Sequence, residues 1–269
     1  MIFSNSPLVS YMKLTKNHSG LRTHSIDTIT IHCYVGQVTA KSGVDYFYNQ
    51  GELYQQFQVN PKTGKKERKG RGCSSNYVIG KDGDIGLSVE EKNRSWCTSS
   101  STNDNRAITI EVASDNKAPY AVTDKAYNAL IQLVTDICKR NNIKRLVWST
   151  NKNERVNHLN GVNMTVHRDY AAKDCPGEWL YSRHGEIADK VNAILNDKVV
   201  IEMTKEELQK FIEEVIKNYG SGLPASTWAD GLVKEAVELG ITDGSNPKRL
   251  ATREEVMIMT KRAAEIKQG

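Results

Sequence analysis

The sequence lacks long apolar runs. No stretch approaches the roughly 20 residues that a membrane-spanning helix needs, which excludes an integral helical membrane protein. The opening MIFSNSPLVSYMKLTK has no basic stretch followed by an apolar core, so no cleavable signal peptide is expected. Prolines number only 6. With 38% hydrophobic and 26% charged residues, wholesale disorder and fibrous classes are excluded. Cysteine is scarce and odd in number: 5, with no CxxC pair. A disulfide framework is therefore not expected, and reduced thiols made in a cytoplasm are. Each thiol is free to be a core residue or a metal ligand.

The net charge is +5, unevenly placed. Through Lys198 there are 27 basic and 20 acidic residues, a balance of +7; the remainder has 10 and 12, a balance of −2. A basic body with a slightly acidic tail predicts two modules and an anionic partner for the first. Nucleic acid and anionic wall polymers both qualify. The basic run from Lys62 to Arg71 has no interleaved aromatics, so it reads as a solvated loop and a weak sign of nucleic acid.

Residues 27–34, 75–80 and 107–113 read as strands. Lys81 to Asp84 supplies a turn, and 85–89 returns as a hairpin partner. Period 2 places His32 and Glu111 opposite the apolar faces of their strands. Thr123 caps a helix over 124–140, striped by Ala126, Leu130, Val134 and Ile137. Another helix opens at Pro176 and runs to about 196. Strands mixed with helices predict an α/β sheet with helices on its faces. Residues 204–219 form an amphipathic helix with a Thr204–Glu207 capping box and a Met203–Leu208 staple. NYGSGLPAS, 218–226, reads as a linker. Residues 227–269 read as helix–loop–helix, stopped by Gly240 and restarted by a Thr252–Glu255 capping box, with a very small core. The expected organisation is 1–198, a connector 199–226, and an all-α module 227–269.

The local chemical cluster is VHRDYAAKDCPG, 166–177. His167 and Cys175 are good zinc donors by chemistry, since imidazole and thiolate are its preferred ligands. The spacing alone favours a surface histidine and a buried cysteine. Adding His32 gives three N/S donors and one open position, the pattern of a catalytic zinc. Glu111 can move a proton, and Lys173 can stabilise an oxyanion. A peptidase, an amidase or a deacetylase could each use this set.

TITIHCY, SSNYVIGKDGDI, RSWC, ITIEV and VHRDYAAKDCPG occur in that order. Together they resemble the zinc-dependent N-acetylmuramoyl-L-alanine amidases of phage lysins and bacterial autolysins, a fold shared with peptidoglycan recognition proteins. The resemblance covers roughly residues 20–197. It implies a central mixed β-sheet flanked by helices. It implies Zn2+ held by His32, His167 and Cys175, with Lys173 stabilising the transition state and Glu111 as general base. Asn76 and Trp96 are expected to line the substrate groove. The sequence departs from the usual pattern at Cys33, Asn76 and Cys97, where histidines are common.

The tail, from Ser226 to Ala263, resembles a single S-layer homology repeat, which implies wall-polymer binding through Trp228 and Arg253. Such repeats usually act in threes, so self-association of the tail is expected. A helical hairpin that only stabilises an oligomer is the plainer alternative. The resulting expectation is a peptidoglycan hydrolase of endolysin type. It would be made in a host bacterial cytoplasm and act on the wall after release. An autolysin of the same chemistry and a non-catalytic peptidoglycan recognition protein are the alternatives. A nucleic-acid role rests only on the basic balance.

Overall fold

The computed structural model describes residues 4–196 and 205–266. The chain forms two compact units, Met1–Lys198 and Val199–Gly269. In chain order the strands are β1 (Tyr11–Met12), β2 (His18–Leu21), β3 (Thr28–Cys33), β4 (Phe57–Val59), β5 (Lys66–Arg68), β6 (Tyr77–Ile79), β7 (Ile85–Leu87), β8 (Asn93–Ser95), β9 (Ala107–Val112) and β10 (Met164–Thr165). Six form one mixed sheet in the order β1-β7-β6-β9-β3-β10. Its pairings are parallel except the β6–β7 hairpin. This is the α/β architecture that the alternation of strands and helices predicts.

The helix α3 (Asp124–Arg140) begins where the sequence places it, with the Thr123 side chain accepting from the Ala126 amide. Its apolar stripe is buried against Ile29, Ile31, Tyr77, Ile79, Ile108 and Ile110. Burying one such side chain contributes about 1.5–3 kcal/mol. A cap contributes about 1 kcal/mol, so the stripe decides where the helix lies. The helix α1 (Ala40–Tyr54) covers the opposite face through Val44 and Phe47, which pack on Val78.

Both faces of β3 are buried, against the expectation of one polar, open face. The polar side is satisfied internally. Thr30 Oγ1 lies 2.7 Å from Thr165 Oγ1 and accepts from Asn103 Nδ2 at 3.1 Å. Thr165 Oγ1 in turn donates to Asn103 Oδ1 at 2.9 Å. Asn103 comes from the short helix α2 (Ser101–Arg106), which covers this face. A central strand flanked by parallel neighbours loses both faces to the layers around it.

Two further expectations are corrected. The helix drawn from Pro176 to 196 is two helices, α5 (Gly177–Tyr181) and α6 (His184–Asn196), because Pro176 precedes the first and Ser182–Arg183 breaks the run. The basic run is no plain loop: β4 and β5 make an exposed antiparallel ribbon, with Lys66 and Arg68 placed over the Phe57 ring. The helix α4 (Lys152–Asn157) supplies Arg155, used below.

The second unit contains α7 (Lys205–Asn218), α8 (Asp230–Glu238) and α9 (Arg253–Ile266). Thr204 and Met203, expected to cap and staple α7, lie outside the described residues. The stripe of Leu208, Phe211, Ile212, Val215 and Ile216 is 46–56% exposed. The Thr252–Glu255 capping box forms in both directions, at 2.7 and 3.2 Å. Neither α8 nor α9 buries a residue, as a core this small implies.

Candidate metal centre

His32 is the next-to-last residue of β3, and Glu111 sits directly beside it in register on β9. Parallel pairing puts their side chains on the same face, the face that carries Val78 and α1. Register therefore brings together two groups 79 positions apart in the chain. The other donors arrive on the loop after β10. His167 opens a 3-10 turn, His167–Asp169, and its ring lies 5.1 Å from that of His32. Cys175 Sγ lies 3.3 Å from His32 Nδ1. One ligand atom each from His32, His167 and Cys175 falls within 4.8 Å of the others.

The loop that carries these donors is anchored from below. Asp169 accepts from Arg155 Nε at 2.9 Å and Nη2 at 2.6 Å, with both side chains almost fully buried. The Arg168 amide donates to the Cys175 carbonyl at 3.1 Å. The loop leaves through Gly177 at φ +78°, where an added Cβ would come within 2.8 Å of Tyr120 Cβ. Only glycine combines that left-handed backbone with so close an approach.

The electrostatics suit a cation. Burial, with contributions from His167 and His184, holds His32 well below the usual histidine range. Burial, and then Lys173, lowers His167 as well. Both rings are thus neutral near pH 7, the state a metal requires of imidazole. Burial pushes the Glu111 carboxyl well above its usual range, and its Oε2 is buried without a hydrogen-bond partner. A hydrogen bond with Cys33, followed by burial, raises the Cys175 thiol. Two neutral imidazoles and a thiol around one point, with a buried carboxyl beside His32, fit zinc by ligand chemistry.

A groove of about 350 Å³ opens over the site, lined by Tyr34, Tyr46, Phe47, Cys73, Trp96, Cys97, Glu111 and His167. Trp96 thus stands at the groove as expected, its Nε1 donating to Ser19 Oγ at 2.6 Å. Lys173 is exposed on the loop between the two donors. Asn76 is a correction: it is fully buried and away from the groove. Its Oδ1 accepts from the Thr109 amide and hydroxyl at 3.1 Å, and its Nδ2 donates to the Val89 carbonyl at 3.1 Å. It completes a strand end instead of meeting a ligand. In the second unit, Trp228 is 81% exposed and Arg253 is exposed. Neither is among the lining residues of that unit's cavity of about 500 Å³, which Asp243, Asn246, Arg249 and Arg262 help to form.

Sequence reasoning marked Cys97 as a departure from the usual pattern but did not pair it with His32, from whose Nε2 its Sγ lies 3.3 Å. It did not single out Tyr34, which follows β3, or Tyr46 and Phe47 on α1.

Residues 22–178 match the family described as N-acetylmuramoyl-L-alanine amidase. No curated protein matches the chain. Among solved structures, the chain is similar to an N-acetylmuramoyl-L-alanine amidase endolysin, LysCS, from Clostridium intestinale URNW. Identity is 17% and the TM-score 0.41, over 71% of this chain and 98% of that one. It is similar to a selenomethionine derivative of AmpD at 16% identity and TM-score 0.47, over 70% and 99% of the two chains. It is also similar to the Drosophila peptidoglycan recognition protein SD at 16% and 0.40, over 64% and 88%. At these identities and scores none of them assigns chemistry to this chain.

Proposed function

The chain belongs to the N-acetylmuramoyl-L-alanine amidase family, and from that premise we propose that it is a zinc-dependent peptidoglycan hydrolase of endolysin type. The bond cut is the amide between the lactyl group of N-acetylmuramic acid and L-alanine. The observation that carries this reading is the convergence of His32, His167 and Cys175 within 4.8 Å, beside a Glu111 register-paired with His32.

His32, His167 and Cys175 would hold the ion. When bound, zinc supplies Lewis acidity, activating water near neutral pH and polarising a carbonyl. Glu111 accepts the proton of the attacking water at a carboxylate oxygen and delivers it to the departing amine. Its buried, unpartnered Oε2 leaves one oxygen free for that transfer. Lys173, exposed on the loop and near enough to His167 to lower its pKa, would offset charge on the former carbonyl oxygen. Trp96 and the tyrosines of the groove present ring faces to the glycan–peptide chain.

Residues 199–269 are the wall-directed part in this reading, with Trp228 and Arg253 as contacts and association through the α7 stripe as a source of avidity. A fluorescent fusion of the tail that neither labels walls nor associates would remove this component.

The catalytic reading is tested on purified sacculi. Digestion should release new N-terminal L-alanine and no new reducing sugar ends, chelator should stop it, and added zinc should restore it. New reducing ends would make the chain a glycosidase, and full activity without metal would end the zinc reading.

A further inference from the structure

The His32 ring is bordered by thiols on both edges. Nδ1 lies 3.3 Å from Cys175 Sγ, and Nε2 lies 3.3 Å from Cys97 Sγ. Glu111 Oε1 lies 3.9 Å from Cys97 Sγ and 4.0 Å from His32 Nδ1. Donor atoms of His32, Cys97 and Glu111 lie within 4.8 Å of one another, a set distinct from His32, His167 and Cys175. Nitrogen and sulfur bound to one tetrahedral zinc stand about 3.6 Å apart, from bond lengths of about 2.0–2.1 and 2.3 Å. At 3.3 Å both pairs are spaced as hydrogen bonds, slightly closer than a metal-bridged pair.

Cys97 is fixed in this position. Its amide donates to Asp104 Oδ2 at 3.0 Å. The next residue, Thr98, donates to the same carboxylate from its amide at 3.1 Å and its hydroxyl at 2.6 Å. Glu111 keeps Oε2 buried and unpartnered. An imidazole nitrogen, a thiol and a carboxylate with spare acceptor capacity form a mixed N/S/O set that suits thiophilic divalent cations.

We propose that His32 Nε2, Cys97 Sγ and Glu111 form a second metal seat, for zinc or another thiophilic divalent ion, back to back with the first across one imidazole. Binding releases the Cys97 thiol proton. Filling both edges together also releases the ring's remaining N–H proton, leaving a bridging imidazolate. The regulatory consequence rests on the function proposed above: an ion here takes Glu111 out of proton transfer, so zinc beyond one equivalent inhibits.

Cobalt and zinc titrations of the full chain test the seat directly, with no need of activity. Wild type should bind two ions, and Cys97→Ser and Cys97→Ala one each. Cys175→Ser should still bind cobalt with a thiolate-to-metal charge-transfer band, and Cys97→Ser with Cys175→Ser together should lose that band. Saturation of wild type at one ion, with a Cys97→Ser spectrum like that of wild type, overturns the proposal. So does a Cys175→Ser protein that binds cobalt without a thiolate band. In the wall assay, zinc above one equivalent should inhibit wild type and spare Cys97→Ser. Two-ion binding in a protein that never cleaves sacculi would refute the function while leaving the seat.

Discussion

Asp169→Ala should be among the most damaging single substitutions outside the metal donors. Asp169 and Arg155 are 6% and 2% exposed, and two short hydrogen bonds join them. Removing the carboxylate leaves a buried guanidinium. Its neighbours then include the Ser149 carbonyl at 2.8 Å and the Trp148 and Tyr181 rings at 4.7 and 5.7 Å. Breaking a buried pair from one side costs about 3–5 kcal/mol. In a unit of this size, 1 kcal/mol moves Tm by about 2–4 °C, so the midpoint should fall by about 6–20 °C. The penalty comes from the stranded charge, so Arg155→Met combined with Asp169→Leu should recover most of it. Thermal unfolding by circular dichroism reads all three proteins. A loss below about 1 kcal/mol for Asp169→Ala, or a double variant as unstable as the sum of its parts, would refute the reasoning. Asp169 also ends the turn that begins at His167. The same variant should therefore weaken zinc by about 10–100-fold, as supporting residues of metal sites typically do.

Glu111→Gln should retain the ion held by His32, His167 and Cys175 and lose about 10²–10⁴-fold in turnover, read as amine release from sacculi; unchanged turnover would remove Glu111 as the base. Lys173→Ala should likewise slow turnover without changing metal content, and a normal rate would free Lys173 of its role. Gly177→Ala should lose about 1–3 kcal/mol in denaturant unfolding, because φ is +78° and Tyr120 occupies the space of the new methyl. His184 is buried, and burial lowers its pKa from 6.5 to about 4. The unfolded chain therefore takes up that proton first. Its contribution is intact above about 6.5 and is lost as pH falls toward 4, by up to about 3 kcal/mol. A His184→Gln protein should show a shallower loss across that window, and an equally steep one would assign the slope to other groups.

Much of the sheet was legible because its strands carry clear signals. TITIHC and AITIEV alternate, the β6–β7 hairpin has a KDGD turn, and α3 has both a threonine cap and a full stripe. The three residues proposed to hold zinc were legible through residue type and the family resemblance. What escaped was structure made by small or polar residues. The face of α1 is built partly from Gly43 and Gly51, where an added Cβ would come within 2.6 Å of Val78 and 2.3 Å of Thr15. Packing through absent side chains leaves no hydrophobic period to read. Asn76 misled for the converse reason. A polar residue near a site suggests ligand contact, whereas here it satisfies backbone groups at a strand end. Cys97 could not be paired with His32 from sequence, because they stand 65 positions apart with a separate two-stranded ribbon between them in the chain.

The buried layer of Thr30, Thr165 and Asn103 also bears on errors of assembly. A strand slipped by one residue exchanges its faces. Were β3 to slip, isoleucine would enter that layer, and the hydroxyl and amide partners would be stranded at about 1–3 kcal/mol each. Three such losses approach the whole stability of an ordinary domain, about 5–15 kcal/mol. The intermediate offsets between β3 and β9 are not available either, since the ladder admits only whole steps of about 3.3 Å. The pairing of His32 with Glu111 is therefore discrete: substitutions elsewhere in the sheet can leave that register intact or abolish it.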